Sequence, residues 1–133
     1  MAMAADRPET TYNAGLAMRR RVMGNKHVER SLEQASDFSA PIQEMVTRYA
    51  WGEIWGRPGL EPRVRSMLTV AMLTALNRPQ ELAGHIRGAL NNGVTEAEIQ
   101  EVLLQAMIYS GAPAALDSFR VAEKVLHEIN RDE

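Results

Sequence analysis

Residues 63–90 read RVRSMLTVAMLTALNRPQELAGHIRGAL, and this stretch decides the fold class. In its first half, apolar side chains recur at i, i+3 and i+4, which places them on one face of an α-helix. The stripe consists of Val64, Met67, Leu68, Ala71, Met72 and Ala75. Asn77 and Arg78 break the pattern, and Pro79 suits the first turn of a second helix that ends at about Leu90. The stretch therefore predicts two consecutive helices.

The rest of the chain predicts four further helices, over about residues 13–23, 38–52, 95–109 and from 113 onward. Gly24 suits the end of the first of these, and residues 25–37 are expected to be irregular, with Asp37 as the next N-cap. Thr95 and Glu98 have the spacing of a capping box. No alternating β-branched stretch competes with these helices. The prediction is an all-α bundle of about six helices.

Residues 38–52 carry an apolar pattern of their own. Their apolar members at helical spacing are Phe38, Ile42, Met45, Val46 and Tyr49. The spacing predicts a helix with one apolar face. The segment that follows, residues 55–62, concentrates Gly and Pro, which a helix does not cross.

The composition limits the kinds of protein this can be. The 133 residues suit one domain, predicted at residues 11–133 after a flexible tail at residues 1–10. A formal charge of -2 lacks the positive excess of nucleic-acid binders. No apolar run approaches the roughly 18 residues of a membrane span, so we expect no membrane partner and a cytoplasmic location.

The absence of cysteine excludes thiol chemistry. Thiolate nucleophiles, disulfides, iron–sulfur clusters and cysteine-based zinc sites all require that residue. The three histidines, His27, His85 and His127, form no pair four residues apart, so the sequence predicts no metal site.

Glu81 and His85 are the first candidates for catalysis. They are four residues apart, so on a helix they share a face and can form a hydrogen bond. A carboxylate can hold the imidazole in one tautomer and make it a proton donor near neutral pH. The alternative is an exposed helix pair worth a few tenths of a kcal/mol.

Arginine and tryptophan side chains give further candidates. Arg57, Arg63 and Arg65 can bind carboxylates through bidentate guanidinium contacts, or can be solvated and paired with nearby Glu. Trp51 and Trp55 are four residues apart at a helix end, where they fill either a core, a subunit interface or a ligand wall. These alternatives stay open on the sequence alone.

From about Tyr12 to Ile129 the chain resembles the 4-carboxymuconolactone decarboxylases, within the wider alkylhydroperoxidase D-like superfamily. The segments that carry the resemblance are residues 51–60, 78–93 and 106–117. Against the superfamily signature Cys-x-x-Cys-x-x-x-His, His85 matches the histidine, whereas Arg78 and Glu81 stand where the cysteines would be. This difference excludes thiol peroxidase activity.

The resemblance implies a fold and an activity. The fold is an alkylhydroperoxidase D-like bundle that forms homo-oligomers, commonly trimers or hexamers, with active sites near subunit contacts. The reaction is the decarboxylation of 4-carboxymuconolactone, a lactone dicarboxylate, to 3-oxoadipate enol-lactone in protocatechuate catabolism by the β-ketoadipate pathway, without a cofactor.

The implied site divides into catalytic and substrate-binding residues. His85 would donate a proton, positioned by Glu81. Contacts to the substrate are expected from Arg78, Arg65, Arg57, Arg87 and Trp55. Two alternatives remain: a decarboxylase of a related lactone or β-keto acid, and a non-catalytic oligomeric binding module of the same fold.

Overall fold

The computed structural model describes residues 8–131, and every regular element in that range is a helix. The elements in chain order are α1 Pro8–Met23, α2 Asn25–Glu33, α3 Ala40–Met45, a π-helix Val46–Ile54, α4 Pro62–Ala75, α5 Pro79–Asn91, α6 Glu96–Ser110 and α7 Ala112–Arg131. The all-α prediction is confirmed. The predicted number of about six is not confirmed, since residues 8–131 form seven α-helices and one π-helix.

The helices group into two compact units, an N-terminal unit that ends at Glu61 and a C-terminal unit that begins at Pro62. In the N-terminal unit, α1 packs mainly against the π-helix. In the C-terminal unit, α4 contacts α5, α6 and α7. Of the predicted tail, residues 1–10, positions 1–7 lie outside the described residues. Positions 8–10 belong to α1, which begins at Pro8. The single domain at 11–133 stays a prediction.

The C-terminal unit is built around an aliphatic core. Its buried members are Val70, Leu82, Ile86, Ala89, Val94, Ile99, Leu103, Ala122 and Val125. Thr95 caps α6 by accepting from the Glu98 backbone N–H, and the Glu98 carboxylate accepts from the Thr95 N–H, both at 3.0 Å. The predicted capping box is therefore confirmed.

The face of α4 that packs against this core is not the face that carries the predicted apolar stripe. Its fully enclosed residues are Ser66, Val70 and Thr74, whereas Leu68 and Met72 are exposed. The buried hydroxyls are satisfied: Thr74 Oγ1 donates to the Val70 carbonyl at 2.9 Å, and Ser66 Oγ accepts from Asn92 Nδ2 at 3.0 Å. Polar side chains can therefore face inward here at little cost.

The N-terminal unit is held by a close approach of two backbones. A Cβ on Gly15 of α1 would clash with the Thr47 carbonyl oxygen, and a Cβ on Gly52 would lie 2.7 Å from the Thr11 carbonyl oxygen. Only glycine lets α1 and the π-helix pack this closely. Beside this contact, Val22, Trp51 and Trp55 form a small core.

Two expectations for the region before the π-helix are wrong. Residues 25–37 are not irregular, because α2 occupies Asn25–Glu33 directly after Gly24, whose φ of 91° ends α1. Asp37 is not an N-cap, because α3 begins at Ala40 and Ser39 precedes it. The apolar pattern of α2 is too short to identify a helix, since Val28 is its only buried residue.

Most of the apolar face predicted for residues 38–52 points outward, and only Val46 packs against the small core of the N-terminal unit. Phe38 is 95% exposed, and Ile42, Met45 and Tyr49 are each at least half exposed. The inner side of this segment carries Thr47 and Trp51 instead. We call Phe38, Ile42, Met45 and Tyr49 the outer stripe. None of the helices within residues 8–131 is both long and apolar enough to cross a membrane.

Candidate functional site

Helix α5 positions the two predicted catalytic side chains. Pro79 occupies its first turn, and Leu82 and Ile86 anchor it in the C-terminal core. Glu81 precedes this buried face and is exposed, whereas His85 is half-buried and its Nδ1 atom is inaccessible to solvent. With one helical turn between them, Glu81 and His85 lie at the border between core and surface. A proton donor in this position has one protected ring nitrogen and a partly accessible ring.

Helices α4 and α5 form an antiparallel hairpin that brings two of the predicted arginines to its opposite ends. Asn92, just after α5, donates to Ser66 near the start of α4. Arg65 therefore lies near the end of α5, whereas the exposed Arg78 precedes its first residue. With a rise of 1.5 Å per residue, each helix end is about 10 Å from His85 along the axis. The backbone positions of Arg65 and Arg78 thus lie toward opposite ends of the hairpin, with His85 between them along the axis.

Arg87 points away from this arrangement. It follows His85 by two residues, which is about 200° around the helix. Its Nη2 atom donates to Glu128 of α7 at 2.5 Å, and both side chains are partly exposed. The two residues line a surface cavity of about 330 Å³ between α5 and α7. The structure does not bring Arg87 together with His85.

The two other predicted contacts belong to the N-terminal unit. Trp55 is only 8% exposed and stacks on Trp51, with ring centroids 4.8 Å apart. Among the alternatives left by the sequence, its surroundings are those of a core residue. Arg57 follows in the turn after the π-helix and is exposed.

The sequence leaves open whether Arg63 binds a carboxylate of a ligand or is solvated and paired with a nearby Glu. In the structure it pairs with Glu98. Glu98 also caps α6, so this contact ties the start of α4 to the start of α6. Its role in the structure is to join two helices.

The side chains that the structure describes, at positions 11–131, include no group of three or more His, Asp or Glu that could hold a metal ion. They do contain a polar arrangement that the sequence analysis did not single out. Arg19 of α1 is buried and donates to Thr47 Oγ1 and Gln43 Oε1, both at 2.9 Å. Burial lowers the pKa of its guanidinium, and the nearby Tyr12 acts in the opposite direction. Arg19 begins a run of three arginines, a pattern typical of an exposed helix face. The sequence therefore gives no indication that Arg19 is buried.

Comparison with known proteins covers nearly the whole chain. It is 45% identical to the 4-carboxymuconolactone decarboxylase of Acinetobacter baylyi, over 91% of this chain and 90% of that relative. It is 40% identical to a nitrosuccinic acid decarboxylase of Metarhizium robertsii, over 89% of this chain and 82% of that relative. Residues 40–124 match the model of the carboxymuconolactone decarboxylase family. The chain is therefore a member of the carboxymuconolactone decarboxylase family.

Proposed function

We propose that this chain is an enzyme that decarboxylates 4-carboxymuconolactone to 3-oxoadipate enol-lactone and CO2, a step of protocatechuate catabolism by the β-ketoadipate pathway. The observation that carries the proposal is the 45% identity, over 91% of the chain, to a relative with that name. The resemblance noted at residues 51–60, 78–93 and 106–117 points to the same activity.

The substrate can supply its own electron sink, so the proposed reaction needs no cofactor. The bond between the ring carbon and the departing carboxyl group breaks, and CO2 leaves without the bonding electrons. Conjugation through the unsaturated lactone moves those electrons to the carbonyl oxygen. A proton then adds to the ring carbon next to the carbonyl, which leaves the double bond of the enol-lactone at the carbon that lost CO2. The protein must stabilise the oxyanion, supply the proton and bind the carboxylates.

His85 is the proposed proton donor and Glu81 the proposed orienting carboxylate. The half-buried ring of His85 supports this assignment, because its Nδ1 atom is shielded while part of the side chain stays accessible. Glu81 lies one turn earlier on the same helix, within the range over which side chains pair.

Arginines are the proposed contacts for the acetate carboxylate and the lactone oxygen. Arg78 and Arg65 have the stronger support, because they lie at the two ends of the α4–α5 hairpin that carries His85. Arg57 remains a candidate, and Arg87 would first have to release Glu128. Tight pairing of an arginine with the departing carboxylate would stabilise the ground state. We therefore assign this carboxylate to the less polar region of Trp55.

The active enzyme is proposed to be a homo-oligomer, a trimer or hexamer, acting in the cytoplasm. The exposed apolar groups are of the kind that subunit contacts bury. They are the outer stripe of the N-terminal unit, Leu68 and Met72 of α4, and Leu76 directly after α4. Light scattering after size exclusion tests this. Met72→Glu should dissociate the assembly, whereas Gln34→Glu, which adds a similar charge at an exposed polar position, should not. A monomeric parent would contradict the proposal.

A related substrate is the second candidate. The relative named as a nitrosuccinic acid decarboxylase is 40% identical over 89% of this chain, so the same framework occurs in proteins named for different acids. Substrate choice among related molecules rests on a few pocket contacts. Decarboxylation is therefore the broader proposal and the lactone the narrower one.

Release of CO2 from enzymatically generated 4-carboxymuconolactone and from nitrosuccinic acid tests both levels. We expect turnover of the lactone, unchanged by excess chelator. Turnover of nitrosuccinic acid alone would replace the narrower proposal with the second candidate. Release from neither acid by the folded protein would favour the non-catalytic binding module, and inhibition by chelator would contradict the metal-free mechanism.

A further inference from the structure

The N-terminal unit contains a cavity of about 490 Å³ that the proposed decarboxylation does not use. Leu32, Ala35 and Ala40 give it an apolar side. Asn13, Gln43 and Arg48 give it a polar side. A cavity of this volume, apolar with a few polar groups, suits a small organic molecule.

A buried cation, Arg19, lies next to this cavity. It does not line the cavity itself but contacts the lining residue Gln43. Arg19 is 6% exposed, and it donates to two neutral acceptors, Thr47 Oγ1 and Gln43 Oε1. Among the side chains that the structure describes, those of residues 11–131, no carboxylate forms an ion pair with it. Gln43 accepts a hydrogen bond from Arg19 and also lines the cavity, so its side-chain amide lies between the buried guanidinium and the cavity. Buried charges are ordinarily compensated by a partner of opposite sign.

The charged residues of the cavity wall, Arg48 and Glu44, pair with each other and do not compensate Arg19. Arg48 lies over the Tyr12 ring, with its Cζ atom 5.7 Å from the ring centroid, which orients the guanidinium. It also pairs with Glu44 at 2.8 Å, and these two charges cancel. Of the three charges of Arg19, Arg48 and Glu44, that of Arg19 is therefore the one left without a charge of opposite sign.

We infer that this cavity binds a small organic carboxylate, with its apolar body against Leu32 and Ala35 and its carboxylate toward Gln43 and Arg48. All of its lining residues belong to the N-terminal unit, whereas the proposed proton donor and its orienting carboxylate belong to α5 of the C-terminal unit. Its ligand class is defined by size, an apolar body and one negative charge.

Two-dimensional amide NMR of the full chain, titrated with benzoate and separately with benzamide, tests the inference without requiring turnover. The two probes have the same ring, and only benzoate is charged. We expect benzoate to bind about ten-fold more tightly, a difference of about 1.4 kcal/mol. The shifted resonances should include those of Tyr12, Asn13 and Ala35. Equal affinity for the two probes, or shifts confined to α5, would overturn the inference.

Two substitutions at the cavity wall should change the affinity in opposite directions. Arg48→Gln should weaken benzoate binding several-fold, because it removes a cation, whereas Glu44→Gln should strengthen it by removing a competing anion. Arg120→Gln is the control, since Arg120 likewise pairs with a carboxylate a few residues earlier in the chain, Asp117 at 2.7 Å, and does not line the cavity. The control should keep the parent affinity. Equal effects of Arg48→Gln and Arg120→Gln would contradict the assignment.

Discussion

The two units of the chain have interiors of different kinds. The C-terminal unit encloses nine aliphatic residues contributed by four helices and the α5–α6 loop. The N-terminal unit has a buried core of Val22, Trp51 and Trp55, a glycine contact between backbones and a buried arginine. An aliphatic core fixes its helices mainly by packing, which suits the unit that holds His85. The N-terminal interior depends instead on close fit and on polar partners.

Truncation in the aliphatic core should give the largest loss of stability. Leu103 is fully buried in the C-terminal unit, so Leu103→Ala removes apolar contacts and leaves a cavity. We expect the free energy of unfolding to fall by about 2–5 kcal/mol, measured by urea denaturation. Leu104→Ala is the neighbouring control, since Leu104 is 40% exposed, and it should lose much less. Similar losses for both variants would contradict the core assignment.

A single methyl group should disrupt the close fit of the N-terminal unit. Gly15→Ala forces α1 away from the Thr47 carbonyl, a backbone atom that cannot rotate aside. We expect a loss of about 1–3 kcal/mol in thermal or urea unfolding. Gly59→Ala is the control, because a Cβ there meets nothing within 4 Å. If Gly15→Ala were as stable as Gly59→Ala, the close backbone contact would be wrong.

Two threonines allow a direct comparison of the interiors. Thr47 and Thr74 are both fully buried, and each hydroxyl donates to a carbonyl four residues earlier. Only Thr47 also accepts from Arg19. Thr47→Val should therefore lower stability by about 1–2 kcal/mol more than Thr74→Val, because it leaves a buried cation without one acceptor. Equal effects in denaturation experiments would remove Arg19 from the account of this unit.

The smallest expected effect is a pH dependence in the N-terminal unit. Partial burial and the charges of Arg19 and Arg30 lower the pKa of His27 from its ordinary value of 6.5. The unfolded chain therefore binds the proton more readily, and stability falls as the pH drops below about 6.5. His27→Gln should flatten this slope in unfolding curves measured from pH 7 to pH 5. The effect is small because His27 is exposed, and identical slopes would contradict it.

The sequence predicts the C-terminal unit better than the N-terminal unit. Helices α5 and α6 have strong local signals, in Pro79 and in the capping box of Thr95 and Glu98. The same signals are weak around α2, and the outer stripe has a helical pattern that the structure leaves exposed. Periodicity shows that a helix has an apolar face, but not whether that face packs inside the chain.

The candidate site was predictable in part for a similar reason. The four-residue spacing of Glu81 and His85 places them on neighbouring turns of α5, as the structure has them. Spacing could not show that Arg87 turns to Glu128, since that contact joins positions 41 residues apart. It also could not identify Arg19 as buried, because its partners Thr47 and Gln43 come from distant positions on the chain. The roles of the arginines and Trp55 in binding substrate stay predictions.

The most direct test of the account is the turnover number of His85→Gln on 4-carboxymuconolactone, with His127→Gln as the control on the exposed surface of α7. Circular dichroism should first show that both variants are folded. The account predicts that kcat falls by about 10²–10⁴-fold for His85→Gln, as for loss of a general acid, and stays at the parent value for His127→Gln. A kcat for His85→Gln within a few-fold of the parent would contradict the proposed proton donor.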